Sequence, residues 1–287
     1  MAASIDDLAL AYRMMATPAP ASEDPISSQF PYPQPLSPDA KRSKTIGIAR
    51  DWINRAEAPV RAALDRALDY YRQQGYNIID ITIPYLPEGQ RAHALTIMAE
   101  IASGVDASTV GKLSAPTKVL VSMGMWQITA QDLLASQRLR NLLMTHLAHL
   151  FKTHPGLLIV SPTTPIPGWH IDGGEADLSH GLSDGKASIR NMEYVWLANF
   201  TGCPSITCPA GYTADGFPIG VMAMSEWGTE EELIAFARDG EAILDLPGAR
   251  PPFEAGATST GSGLRVPSGD LSVWEDVIAL AKKNNSE

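Results

Sequence analysis

The chain has 287 residues, 45% of them hydrophobic, enough for one sizeable core or two small ones. It carries 32 acidic against 22 basic side chains, a net charge of −10, and no basic run interleaved with aromatics, which argues against nucleic acid or an anionic membrane as partner. No apolar run approaches the ~18 residues of a membrane span, the start lacks the regions of a signal peptide, and two cysteines are too few for a disulfide framework, so a cytoplasmic setting is expected.

Residues 4–16 read as a helix, with Ser4 as N-cap, Asp7 three residues on, and Ile5, Leu8 and Tyr12 at helical spacing. Residues 17–44 hold seven prolines between Pro18 and Pro38 and are expected to be a surface connector without helix or sheet. Thr45 to Ala49 is a short buried-type strand. The segment APVRAALDRALDYYRQQGYN follows as an amphipathic helix, with Val60, Leu64, Leu68 and Tyr71 on one face and Gly75 ending it. NIIDITI then reads as a strand, and the strand–helix–strand unit points to α/β packing.

Two helical blocks come next, about residues 88–104 and 129–154, the second capped by Thr129 with Asp132 at the matching position. Gly156 to Val160 is a continuous apolar strand. Residues 171–187 read as a Gly- and Asp-rich loop, and SIRNMEYVWLANFTG as helical. Two apolar runs flank Gly211 to Gly216, a hairpin signal with an Asp-Gly pair inside. TEEELIAFARDGEAIL reads as a helix with Thr229 as cap and Glu232 as its box partner. Residues 246–270 form a loop-rich tail, and a last short helix is expected from about Ser272.

Few constellations suggest chemistry. Cys203 and Cys208 lie five apart in a strand-like stretch, where their side chains face opposite sides, so they read as buried, unbridged thiols. His146 and His149 share a helix face with His154 nearby, but no acid stands at ligand spacing, so no metal is expected. STGSGLRVPS resembles a phosphate loop in composition only, because no strand-to-helix context surrounds it. There is no Gly-x-Ser-x-Gly elbow and no Ser/His/Asp order. The acids Glu230 to Glu232 are helix N-terminal, where the helix dipole favours them.

One region says more. NFTGCPSITCPAGYTADGFPIGVMAMS, followed by a helix and Glu241, resembles the C-terminal region of the amidase signature family. The matching positions are Asn199, Gly202, Pro204, Ser205, Ile206, Pro209, Gly211, Asp215, Gly216, Phe217, Pro218, Ile219, Gly220 and Glu241. IVSPTTPIPG is similar to the family's strand-end Pro-Thr-x-Pro segment, with Thr164 extending it by one residue. Asp132, Leu134, Ser136, Arg138 and Arg140 resemble its (Asp/Tyr)-x-Leu-x-(Ala/Ser)-x-Arg-x-Arg helix. MAASIDD matches the stretch that follows a Gly-Pro in the family. Met1 is therefore expected to be an internal methionine, in a chain that corresponds to a C-terminal half.

The resemblance implies an α/β fold, a mixed β-sheet flanked by helices, with residues 1–287 as a single partial amidase-like domain. It implies hydrolysis of carboxylic amide C–N bonds without a cofactor. The family's nucleophilic serine, second serine and lysine find no counterpart here, so no catalytic residue is assigned and the chain alone is expected to be inactive. What remains is pocket wall for a small-molecule amide: Met125, Trp126, Thr163, Thr164, Asn191 and Met192. Plain packing is the alternative for each. The amidase-type subunits of glutaminyl-tRNA-forming amidotransferases carry an acid ten residues before the motif glycine. Counting back from Gly202 gives Met192, which cannot pair with an ammonium, so a more apolar substrate is expected. The alternatives are an inactive paralogue that binds a small molecule or partner, and a short chain completing a separate N-terminal half. A doubly wound binding module is a further alternative, against which the hairpin argues. A cut fold would expose a sheet edge and so favour a homodimer or association through that edge.

Overall fold

The computed structural model of the protein describes residues 1–29, 35–37, 41–168 and 185–249. The expected phosphate-like stretch, most of the 246–270 tail, the last helix and most of the 171–187 loop lie outside them. Helix α1 (Ile5–Met15) starts at Ser4, whose Oγ accepts the Asp7 N–H and donates to the Asp7 carboxylate. Strand β1 (Thr45–Ile48) leads through a short helix, α2 (Arg50–Ile53), into α3 (Ala58–Gln73). The expected stripe of α3 is buried, namely Val60, Leu64, Leu68 and Tyr71, with Ala63 and Ala67 between them. Gly75 takes φ +85°, the left-handed turn that ends a helix, and β2 (Asn77–Asp80) follows.

Next come α4 (Leu86–Ser103), α5 (Ala107–Val110), α6 (Ala115–Trp126) and α7 (Ala130–Thr153). The Thr129–Asp132 capping box of α7 forms in both directions. Strand β3 (Leu157–Pro162) is buried at every position. Helix α8 (Gly185–Arg190), a 3₁₀ turn Asn191–Glu193 and α9 (Trp196–Thr201) precede the hairpin of β4 (Ser205–Tyr212) and β5 (Pro218–Met224). Helix α10 (Glu230–Asp239) and a 3₁₀ turn Glu241–Asp245 close the described part.

The five strands of the described residues form one mixed sheet in the order β2-β1-β3-β5-β4. β1 is parallel to β2 and β3, whereas β5 is antiparallel to β3 and β4. The β3 pattern is a continuous apolar run because it lies inside the sheet with both faces covered. Edge strand β4 alternates, burying Ile206, Cys208 and Ala210. Helix α3 packs on β3, β4 and β5, and α10 packs on β4. Helices α4, α7 and α9 pack together, and Gly89 makes this possible, because a Cβ there would stand 2.5 Å from the Trp196 ring. Tyr71 stacks on Phe236 at 4.2 Å and ties α3 to α10.

Several local expectations are corrected. Residues 104–114 and 115–126, which show no clear stripe in sequence, hold α5 and α6, and α6 has Val121 as its buried residue. The connector 17–44 includes a 3₁₀ turn at Ser27–Gln29. The 188–202 helix is interrupted at Asn191–Glu193, α8 begins at Gly185 within the expected loop, and the 77–83 strand stops at Asp80. Cys203 lies before β4, so strand alternation does not orient it, yet both thiols are buried and free. Thr229 does not cap α10, because its hydroxyl donates to Glu226 O at 2.7 Å and lies 2.9 Å from Ser225 Oγ.

Candidate functional site

Parallel neighbours β1 and β3 end on the same side of the sheet, but their chains continue differently. β1 turns back through α3 to β2, while β3 runs on into Thr163 and has β5 beside it. In open α/β sheets such a divergence is where ligands bind, outside the carboxyl ends of the strands. Polar groups gather at this end of β3. The Thr163 N–H donates to Gly220 O at 2.9 Å, continuing the β3–β5 ladder by one residue. Its Oγ1 lies 3.5 Å from Thr207 Oγ1. Gly220 admits this pair, since a Cβ there would stand 2.7 Å from Thr163 Oγ1 and 3.1 Å from Thr207 Cγ2. The Thr164 hydroxyl donates to Ile166 O at 2.8 Å and holds the turn.

The segment after β1 joins this turn to the one at Asn191. The Glu57 N–H donates to Pro165 O at 2.8 Å, and the Glu57 carboxylate pairs with Arg190 at 2.9 Å. On the other flank, Trp52 Nε1 donates to both the backbone oxygen and the Oε1 of Glu193, each at 3.1 Å. Arg55 pairs with the same Oε1 at 2.8 Å. The Tyr194 hydroxyl donates to the Trp52 and Ile53 carbonyls at 3.2 and 3.3 Å, and burial, with Glu193 beside it, pushes its pKa well above the usual phenol value. Thr163, Thr164, Asn191 and Met192 thus lie on turns fastened to one segment, residues 52–57. Met192 is partly exposed, and the Asn191 Oδ1 is buried without a hydrogen-bond partner.

Met125 and Trp126 lie on another element. They end α6, which packs on α4 and α5, close enough at Gly124 that a Cβ there would collide with the Met98 carbonyl oxygen. Trp126 is 67% exposed. With Leu113, Lys118, Val119 and Met123 it lines an open groove of about 970 Å³.

Burial raises the thiol of Cys203 to about 11 and that of Cys208 to about 12, which keeps both protonated near neutrality and poor as nucleophiles. His146 Nε2 lies 2.7 Å from Thr82 O and is engaged with the backbone. Among the described residues no group of three or more His, Cys, Asp or Glu side chains is placed to hold a metal. No described helix is long and apolar enough to cross a membrane.

Sequence reading missed Trp52, Arg55, Glu57, Arg190, Glu193 and Thr207. Each Arg–Glu pair joins residues more than 130 positions apart, so no local spacing announces it.

A family model described as Amidase matches residues 1–234. A fatty acid amide hydrolase of Medicago truncatula is 28% identical over 262 residues, spanning 88% of this chain and 42% of that protein. The glutamyl-tRNA(Gln) amidotransferase of Thermus thermophilus has a subunit that is 26% identical over 265 residues, 83% of this chain and 53% of that one. Among solved structures, a serine-to-alanine variant of the Kluyveromyces lactis allophanate hydrolase superposes with a TM-score of 0.64 at 17% identity, over 84% of this chain and 38% of that chain. A bacterial aryl acylamidase does so at 0.56 and 20% identity, over 71% and 44%. The chain thus spans about half the length of the curated relatives it matches, and the structural likeness is one of fold.

Proposed function

The chain belongs to the amidase family, and from that premise we propose that it forms the C-terminal portion of a hydrolase that cleaves carboxylic amide C–N bonds. The observation that supports the reading is that the turn after the strand-end threonines and the residue before the Asn191–Met192 turn are both tied to Glu57, through its N–H to Pro165 O and its carboxylate to Arg190. In this reading Thr163, Thr164, Asn191 and Met192 contact the substrate, and Met125 and Trp126 contact it from α6. None of them supplies a nucleophile, and the chain alone does not turn over amide. The serine, second serine and lysine that the resemblance implies come from a catalytic half outside these residues.

An apolar acyl or aryl amide is the favoured substrate. Met192 offers no charge to an ammonium group, and the relatives named fatty acid amide hydrolase match over most of this chain. Residues 1–287 act as one partial domain, in the cytoplasm, and pair through the outer edge of β2 or β4 with a second copy or with the catalytic half. The test is hydrolysis of a panel of aliphatic and aryl amides. The 287-residue chain is assayed alone and together with a polypeptide that carries a Ser-Ser-Lys catalytic half. Turnover only in the combination is expected. Turnover by the chain alone would place a nucleophile among residues rejected above, and no turnover in either would sink the amidase reading.

A further inference from the structure

We propose that Glu193 is a positioning residue, whose carboxylate fixes the Asn191–Met192 turn against the strand-end threonines and so sets the width of the substrate rim. The inference rests on the amidase reading of that rim.

The turn is a 3₁₀ segment of three residues between two short helices, too short to hold itself. Two ion pairs tether its flanks. Arg190 and Glu57 are both about half exposed, 48% and 43%, so solvent screens most of their attraction. Glu193 differs. Its side chain is 17% exposed, and one oxygen takes both the Arg55 guanidinium and the indole N–H of the buried Trp52. Charge-assisted bonds at a partly desolvated carboxylate are the strong kind. Trp52 is itself fixed by rings, 5.3 Å from Tyr194 and 6.1 Å from Trp196, so Glu193 is anchored to the core through the indole, while Arg55, 43% exposed, adds a partly screened charge. The same segment reaches the threonine turn through the Glu57 N–H to Pro165 O bond. Residues 52–57 therefore act as a strut between two turns that lie well apart in sequence.

The experiment compares Glu193→Ala, Glu193→Gln and, as a control at the exposed Arg50–Asp80 pair, Asp80→Asn, in the 287-residue chain. Gln retains an acceptor for Trp52 and Arg55 but removes the charge. Three readouts are taken: amide exchange over residues 189–195, the Trp52 indole N–H resonance, and affinity for 4′-nitroacetanilide as the probe. Glu193→Ala is expected to speed exchange and weaken probe binding, each by about tenfold. Glu193→Gln should recover most of the binding, and Asp80→Asn should change neither. Unchanged exchange and indole shift in Glu193→Ala overturns the strut. Faster exchange with unchanged probe affinity overturns the positioning role and leaves a structural one. A wild-type chain that binds no probe, while exchange and indole respond to Glu193→Ala, overturns the substrate reading of the rim and the positioning role with it.

Discussion

Replacing Gly220 by alanine tests whether the threonine rim is as tightly built as its geometry implies. Gly220 does not have a positive φ, so alanine meets no backbone strain there, and the effect is steric. The new methyl would stand 2.7 Å from Thr163 Oγ1, 3.1 Å from Thr207 Cγ2 and 3.3 Å from Thr163 Cβ. The first contact cannot persist, and Thr163 is held by its N–H to Gly220 O, so its side chain must rotate away from Thr207 or β5 must shift. Overpacking of this kind costs ~1–3 kcal/mol. Losing a glycine from the unfolded chain returns ~0.4–1 kcal/mol. The net is ~1–2 kcal/mol, a lowering of the urea midpoint by about 0.3–0.7 M at an m-value of ~3 kcal/mol/M. Thr163→Ala removes the hydroxyl the methyl would strike, so the double variant should be less destabilised than the sum of the singles by about 1 kcal/mol. An unchanged midpoint in Gly220→Ala, or strict additivity in the double variant, would refute the packing argument.

Other outcomes follow from the same structure. Thr129→Ala removes the α7 capping box and should cost about 1 kcal/mol, read as a lower urea midpoint. Burial lowers the pKa of His93 from 6.5, with Glu100 partly opposing, so the unfolded chain takes up the proton first as pH falls below about 6.5. Stability should therefore decline from pH 7.5 to 5.5, and His93→Gln should show a shallower decline in urea titrations; identical slopes would contradict it. Cys203 and Cys208, buried and raised, should resist iodoacetamide at pH 7.5 in the native chain and both react in urea, as counted by mass spectrometry. Gly240→Ala would push its methyl into the Tyr71 hydroxyl and disturb the Tyr71–Phe236 stack, which near-UV circular dichroism should register.

How much was legible depends on how local each signal is. The α3 stripe, the α7 capping box, the Asp-Gly hairpin and the buried β3 run are all written within a few residues, and each stands where the pattern put it. Helix α6 was missed because apolar residues run all round it, with Val121 buried and Val119, Leu120, Met123 and Trp126 exposed, so its few polar residues set no clear period. Thr229 misled because a cap motif states only that a hydroxyl can reach the helix. Here the Glu226 carbonyl and Ser225 hydroxyl engage it instead.

The amino-acid sequence by itself determined the types of the strongly periodic elements, the buried face of α3, the family resemblance and the strand-end threonines. Period and turn chemistry act over a few residues, and a motif is a local string. Tertiary structure alone decided that the turns holding Thr163 and Thr164 and holding Asn191 and Met192 are both fastened to residues 52–57, while Met125 and Trp126 sit on α6. That outcome depends on Trp52, Arg55 and Glu57 reaching residues more than 100 positions away. Such contacts form only once the sheet order brings the carboxyl ends of β1 and β3 side by side.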